Sequence, residues 1–462
     1  MENKYILFGA GYYATVAISL LGKENIEFIV DNNHDKAGTS VEGIPVFDFA
    51  EKKAGCTGRT IVIAVSEKYS SQIERQLEDE GIDNFVTIGK IQAEQTRKKI
   101  EGRFDNIKVY KKAVDWIKNN SADGQAIICN TEKRKGYPEV TGYYIPTLIR
   151  WGYRKLAVNY AEWLIGIQKA DGSWYDTDNV SPYIFDTAQI LKGLIAVREI
   201  YDSREKIDEA IIKGIDWILG CMTDEGRLVT PDTACWGSDD NTCSELIHMY
   251  CLSPIADAGR IFGRTDYIEK AEKILRYYKD NYYDKITNFS LLSHFYAYVM
   301  EALVDMGETD MAVEAMAKIA DIQKASGAVP AYKNVDWVCS TGLFQFALVW
   351  FRLGDTEHGN KAFEYACRLQ NESGGWYGSY LSEDNCNEQN DYFPGAEISW
   401  AVKYFLDALY YKNVAEFNEQ ASDFIETISK EDERYTVVRD IVACNGEGIR
   451  ILDVGCGKGR YI

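Results

Sequence analysis

The apolar positions of this chain follow two periods in succession. Short continuous apolar runs come first, at residues 4–8 (KYILF), 26–30 (IEFIV), 60–65 (ending IVIAV) and 84–88 (NFVTI). Runs of that length, rich in Ile, Val and Phe, read as buried strands. Helical segments fall between them, one running to about Gly22 and one at 68–81. From residue 106 the period becomes helical. Segments 106–120, 154–170, 207–220, 267–280, 310–325 and 356–372 carry an apolar stripe on one face, as with Ala161, Leu164 and Ile165. Alternating with them, segments 139–152, 185–201, 241–263, 294–307, 340–355 and 395–412 are apolar almost all round, which predicts burial on both sides.

Alternating outer and inner helices at a spacing of roughly 50–60 residues make a repeat architecture. One hairpin cannot cover its own apolar face, so stacking continues until the ring closes. Six pairs predict an (α/α)6 toroid over residues 106–412. Outer helices end in recurring marks: Gln168-Lys-Ala-Asp-Gly172-Ser-Trp174, Gln323-Lys-Ala-Ser-Gly327 and Gln370-Asn-Glu-Ser-Gly374-Gly-Trp376, with a weaker copy at Cys221–Gly226. A glycine just past a helix end is the expected capping residue. The Gln and Trp are expected to tie each hairpin to the next. Because the inner helices all run in one sense, their N-termini converge on one mouth.

Ahead of the toroid, a strand enters Gly9-Ala-Gly11 and a helix, and the next strand ends at Asp31. This is the dinucleotide-binding pattern: glycines let a phosphate approach the helix N-terminus, and the acid accepts a bond from a ribose hydroxyl. Residues 1–95 are therefore expected to form a Rossmann-like α/β domain, with Gly9, Gly11 and Asp31 as ligand contacts. The stretches FGAGYYA, IVDNNHDKAG and EGIPVFDF resemble the nucleotide-sugar-binding N-terminal domain of bacterial sugar acetyltransferases. That resemblance implies a UDP-sugar or similar ligand in place of NAD.

At the other end, residues 413–446 are charged and helical, a connecting segment. Residues 447–462 follow, with Arg450-Ile-Leu-Asp453-Val-Gly455-Cys-Gly457-Lys-Gly459. A strand running into this glycine series resembles motif I of S-adenosylmethionine-dependent methyltransferases. The resemblance implies that Asp453, Gly455, Gly457 and Gly459 contact S-adenosylmethionine. Only three residues follow Gly459, so the chain is expected to be part of a longer parent and not to methylate by itself. The expected fold class is thus multidomain: a Rossmann-like start, an all-α toroid and a truncated methyltransferase start.

The toroid resembles six-hairpin glycosidases, squalene cyclases and, more closely, α/α-toroid proteins of bacterial surface-polysaccharide biosynthesis. The residues that carry this are Tyr137-Pro-Glu-Val-Thr-Gly-Tyr-Tyr144, Phe185-Asp-Thr-Ala-Gln189, Cys339-Ser-Thr-Gly-Leu-Phe-Gln345, Gly374-Gly-Trp-Tyr-Gly-Ser-Tyr380 and Ala396-Glu-Ile-Ser-Trp400. The resemblance implies a glycan or nucleotide-linked sugar as substrate, with hydrolysis, elimination or epimerisation as the chemistry. A non-catalytic module that presents a glycan to the methyltransferase is the alternative. A terpene-cyclase-like enzyme is the third, for which Gly237-Ser-Asp-Asp240 only faintly approaches the expected acidic motif.

Composition narrows these classes. The chain has 462 residues, 46% hydrophobic and 26% charged, a soluble globular balance. Its net charge of −20 argues against nucleic acid, which needs a basic footprint. No apolar run is long enough to span a bilayer, and no secretory signal is visible, so a cytoplasmic location is expected. The 11 cysteines lack C-x-x-C pairs, and no metal set is apparent. The 31 Tyr and 10 Trp suit sugar rings, although toroid packing alone also uses them.

Candidate chemistry lies at the mouth. Glu139, Asp186, His294, Glu397 and Tyr143 are the acid–base candidates, since hydrolysis needs two carboxyls and epimerisation or elimination needs a base and an acid flanking a C–H bond. Trp174, Asp240, Asp336, Trp337, Trp376 and Tyr392 are candidates for substrate contact. Duller roles compete: Asp186 and Glu397 suit helix caps, and a lone His such as His294 suits a satisfied core.

Overall fold

The computed structural model describes residues 4–231, 242–420, 431, 435–437 and 439–440. The N-terminal apolar runs form a six-stranded sheet from β1 (Tyr5–Phe8), β2 (Ile26–Asp31), β3 (Ser40–Val41), β4 (Ile44–Asp48), β5 (Thr60–Ile63) and β6 (Phe85–Thr87), ordered β3-β4-β2-β1-β5-β6. All pairings are parallel except β3–β4. Connectivity reverses between β1 and β5, and the Gly9 turn sits there, at the carboxyl end of β1. Gly9 has φ +112°, and a Cβ on it would lie 2.6 Å from Val65 and 2.7 Å from the Ala64 carbonyl, so no larger residue fits. The short hairpin β3–β4 and the helix Ile88–Glu101 are additions to the expected pattern.

Among the described residues from Asn106 onward, twelve helical segments, the broken third inner helix counted as one, form a closed ring. The outer helices are Asn106–Asn119, Arg154–Ile167, Arg204–Gly220, Thr265–Thr287, Thr309–Ala320 and Thr356–Arg368. The inner ones are Pro138–Arg150, Ile184–Val197, a broken third, Ser293–Asp305, Ser340–Leu353 and Ser399–Gln420. Inner helices pack in sequence around the axis, and the sixth returns to the first. That closure is hydrogen-bonded: Tyr144 Oη donates to the Ser399 carbonyl at 2.5 Å, and Thr147 Oγ1 donates to Asp407 at 2.8 Å.

Two inner helices depart from the pattern for local reasons. The third is Thr242–Ile247 and Leu252–Phe262, joined by a 3-10 turn at His248–Cys251. Pro254 cannot donate to the Tyr250 carbonyl and its ring crowds it, which breaks the helix one turn upstream. The sixth starts at Ser399 instead of 395, because Glu397 is held extended in a bridge to Tyr377. It then continues past 412 to Gln420, through the start of the expected connecting segment.

The recurring Gln…Gly marks are staples between neighbouring outer helices. Gln168 Nε2 donates to Gly172 O at 3.0 Å and to Ala210 O of the next outer helix at 2.9 Å. Gln323 does the same to Gly327 O and His358 O, at 3.3 and 3.1 Å. Gln370 reaches Gly374 O and Val109 O, both at 3.0 Å, which ties the last outer helix to the first and shuts the ring. Each of these glycines has φ near +98° and lies against the backbone of the helix it docks on, Lys213, Lys361 and Lys112 respectively.

The N-terminal unit rests on this ring. Lys99 Nζ, on the helix Ile88–Glu101, donates to Leu369 O, Gln370 O and Asn371 Oδ1 at 2.9–3.0 Å. Ser19 Oγ donates to Gly395 O at 2.8 Å, and Arg97 to Glu383 O at 2.8 Å. No helix among the described residues is long and apolar enough to cross a membrane.

Candidate functional site

The N-terminal ends of the first and second inner helices place Glu139 and Asp186 side by side in the ring interior. Their exposures are 4% and 1%. Burial pushes the Glu139 carboxyl up to about 7, with the Tyr137 hydroxyl and the Lys403 charge pulling the other way. Asp186 is driven well above the ordinary carboxylate range by burial and then by the Glu139 charge beside it. Two neighbouring buried carboxyls cannot both ionise near neutral pH. The pair therefore holds a proton near neutral pH, with both carboxyls raised by burial.

Asp186 Oδ1 and, one turn along the same helix face, Gln189 Oε1 are buried with no hydrogen-bond partner among the described residues. Gln189 Nε2 donates to the Phe185 carbonyl at 3.3 Å. Unsatisfied buried polar atoms are costly, about 1–3 kcal/mol each, and these two lie one turn apart on one helix.

The remaining walls are aromatic. His294 packs against Tyr298 with ring centroids 4.6 Å apart, Tyr392 at 6.0 Å and Trp400 at 6.4 Å. Trp400 Nε1 donates to Tyr392 Oη at 3.0 Å. Below them Tyr143, Tyr298, Tyr250 and Tyr404 interlock across the axis, with centroid distances of 4.8–6.2 Å. Tyr143 and Tyr392 both lie within the electrostatic reach of Glu139.

A hydrogen-bonded chain descends from His294. Gln345 Nε2 donates to Glu301 at 2.9 Å, so its amide oxygen faces His294 Nδ1 at 2.6 Å, and that nitrogen carries the proton. Burial holds His294 neutral, with its value lowered to about 3, and the fixed tautomer leaves Nε2 as an acceptor. Glu301 also accepts from Tyr250 Oη at 2.9 Å, and the Tyr250 and Tyr404 hydroxyls lie 3.2 Å apart.

Of the residues expected at the mouth, Glu139, Asp186, Tyr143, His294 and Tyr392 come together. Glu397 does not: it accepts from Trp116 Nε1 at 2.7 Å, from Asn371 Nδ2 at 2.9 Å and from Ser373 Oγ, so it locks the sixth hairpin to the first. Trp174 and Trp376 are fully buried wedges whose Nε1 atoms donate to Leu164 O and Ala366 O, which leaves neither ring face for a sugar. Asp336 pairs with Lys324 at 2.7 Å and accepts from Asn385 Nδ2 at 2.9 Å, and Trp337 is buried beside Tyr332. Asp240, Asp453, Gly455, Gly457 and Gly459 lie outside the described residues.

In the N-terminal unit, Asp31 Oδ2 accepts from the Ala10 amide at 2.7 Å and from Lys36 Nζ at 3.0 Å, so it braces the glycine turn. A Cβ on Gly11 would meet nothing within 4 Å, which leaves open space at that helix N-terminus.

Tyr298, Glu301 and Lys403 belong to the interior and escaped the sequence reading. Their signal is positional: His294, Tyr298 and Glu301, like Trp400, Lys403 and Asp407, recur at helical spacing along one face of otherwise apolar helices.

No protein-family model matches the chain. The terpentedienyl-diphosphate synthase of Kitasatospora griseola is 38% identical over 66 residues, a match that spans 14% of this chain and 12% of that protein. Among solved structures, one glycosidase variant is similar with a TM-score of 0.50 at 12% identity, over 68% of this chain and 100% of the other. A second glycosidase variant gives 0.50 at 11% identity with the same coverage. At such identities the likeness concerns the fold, and with the ring closure described above it establishes an α/α toroid.

Proposed function

We propose that the chain is a carbohydrate-active toroid enzyme, with Asp186 as general acid and Glu139 as the partner base, acting on a glycan or nucleotide-linked sugar in surface-polysaccharide assembly. The observation that carries this is the pair of buried oxygens, Asp186 Oδ1 and Gln189 Oε1, with no hydrogen-bond partner among the described residues, beside a carboxyl raised to about 7. Sugar hydroxyls are donors that satisfy such oxygens, and the aromatic walls suit the apolar faces of a sugar ring. A proton held on Asp186 can pass to a leaving or ring-adjacent oxygen while Glu139 accepts one from water or from a C–H bond. The glycosidase-like fold is consistent with this reading and does not select among hydrolysis, elimination and epimerisation.

The N-terminal sheet extends the proposal. The open helix N-terminus at Gly11 is where a nucleotide phosphate would dock, and the unit stands on the toroid through Lys99, Ser19 and Arg97. The glycine series at 453–459 is proposed as the start of an S-adenosylmethionine-binding unit.

A second reading rests on a different feature of the same chamber. A protonated, buried Asp186 among Phe185, Tyr298 and Tyr143 also fits protonation of an alkene, as in terpene cyclisation, and the short match to a diterpene-type synthase points the same way. A hydrocarbon would leave Gln189 Oε1, which can only accept, unsatisfied, and this favours the sugar. Mass spectrometry of wild-type protein incubated with UDP-sugars, neutral and acidic oligosaccharides and geranylgeranyl diphosphate separates the two. Conversion of a sugar supports the first reading, conversion of the isoprenoid alone replaces it with the second, and conversion of neither refutes both.

A further inference from the structure

Beneath the tyrosine layer, toward the carboxyl ends of the inner helices, lies a cavity of about 100 Å³ roofed by Tyr143 and Tyr250. One water needs about 10–15 Å³ by this measure, so the space holds several waters or a small ion. Four cations face it, Arg150, Lys192, Arg352 and Lys403, against three carboxylates, Glu301, Asp305 and Asp407.

Three of the cations are matched. Arg352 pairs with Asp305 at 2.8 Å, Arg150 with Asp407 at 3.0 Å and Lys403 with Asp407 at 2.9 Å. The two arginines also sit in the last turns of their helices, where a positive charge offsets the helix dipole. Neither account covers Lys192, which lies before the last turn of its helix. Its Nζ is buried, has no hydrogen-bond partner among the described residues and stands 2.8 Å from the Tyr250 ring centroid. The Tyr250 ring face and the nearby Asp305 and Glu301 charges offset part of its burial, but among the described residues no oxygen accepts from its donor positions.

We propose that this cavity is a small-oxyanion site, separate from the Glu139–Asp186 chamber, in which Lys192 with Arg150 and Arg352 binds a tetrahedral oxyanion or a carboxylate. An anion supplies both the missing acceptor and the missing charge, whereas water supplies only the first. Binding is coupled to protonation. Burial pulls Lys192 down to about 7, so an anion draws roughly half a proton onto it at pH 7. The groups that face Lys192 from the surrounding helices are Tyr143 and Arg150, Tyr250, Cys251 and Asp257, Glu301 and Asp305, Arg352, and Lys403, Asp407 and Tyr411. Glu301, raised by burial, shifts in the same sense as Lys192 when an anion enters.

Titration calorimetry of the full chain with sodium sulfate and, separately, sodium acetate tests this, with chloride at matched ionic strength as the control. Saturable one-to-one binding of sulfate assigns the site to tetrahedral oxyanions, and of acetate alone to carboxylates. Lys192→Met is expected to weaken binding by at least about tenfold, and Lys192→Arg to retain it. If Lys192→Met fails to fold, the wild-type pH series decides: affinity for sulfate is expected to fall about tenfold per pH unit above pH 8. No saturable binding of either anion, equal affinity in Lys192→Met, or a pH-independent sulfate affinity overturns the proposal.

Discussion

Replacing Gly374 by Ala probes the ring closure directly. Gly374 has φ +98°, and a Cβ there would run into the Lys112 carbonyl at well under the 3.0 Å that real Cβ atoms keep. Two costs therefore add. Forcing an L-residue to positive φ costs about 1–2 kcal/mol. Overpacking a fixed helix–loop contact costs about 1–3 kcal/mol more, and the Gln370 bonds to Gly374 O and Val109 O are displaced with it. Gly354 supplies the control: its φ is +83°, and a Cβ there meets nothing within 4 Å. Gly354→Ala should thus lose only the first term, and Gly374→Ala about 2–5 kcal/mol. Urea denaturation followed by tryptophan fluorescence measures both. If Gly374→Ala is no less stable than Gly354→Ala, the staple does not close the ring.

Glu139 should also make stability depend on pH. Its value rises from an ordinary 4.5 to about 7 on folding, so the folded state holds the extra proton between those values and stability falls as pH rises through that window. Glu139→Gln should be more stable than wild type at pH 8, by on the order of 3 kcal/mol, and nearly equal at pH 4.5; equal stability at both would show that the carboxyl is not perturbed. Trp376→Phe loses the bond to Ala366 O and part of a packed wedge, so stability should drop by about 1–3 kcal/mol while glycan affinity stays unchanged; a selective loss of affinity would return Trp376 to the substrate. Lys99→Met leaves Leu369 O and Gln370 O without their donor, and amide exchange should quicken in Ile88–Glu101 relative to the inner helices; unchanged exchange would mean that Lys99 does not anchor the N-terminal unit.

The twelve-helix pattern was legible because the two faces of each hairpin bury differently, and Leu164 or Ile190 report that burial at helical spacing. The Gln…Gly marks were legible as repeats, but their role needed the neighbouring helix: nothing near Gln370 in sequence points to Val109. Glu139 and Asp186 stood out as acids at the starts of apolar helices. Glu397 looked equivalent and is not, since its bridge to Tyr377 turns it toward Trp116 in the wall. Trp174 and Trp376 misled for a related reason, because a loop Trp that caps a helix and one that stacks on a sugar have the same local sequence. Lys192 and Lys403 were hidden by the expectation that inner faces are apolar.

The central claim is that Glu139 and Asp186 form an acid–base pair acting on a sugar. Turnover of the best substrate from the sugar panel, compared among wild type, Glu139→Gln and Asp186→Asn, tests it most directly. Both variants should remain folded and lose at least about a hundredfold in kcat. If wild type and the two variants treat every sugar in the panel alike, the pair has no catalytic role.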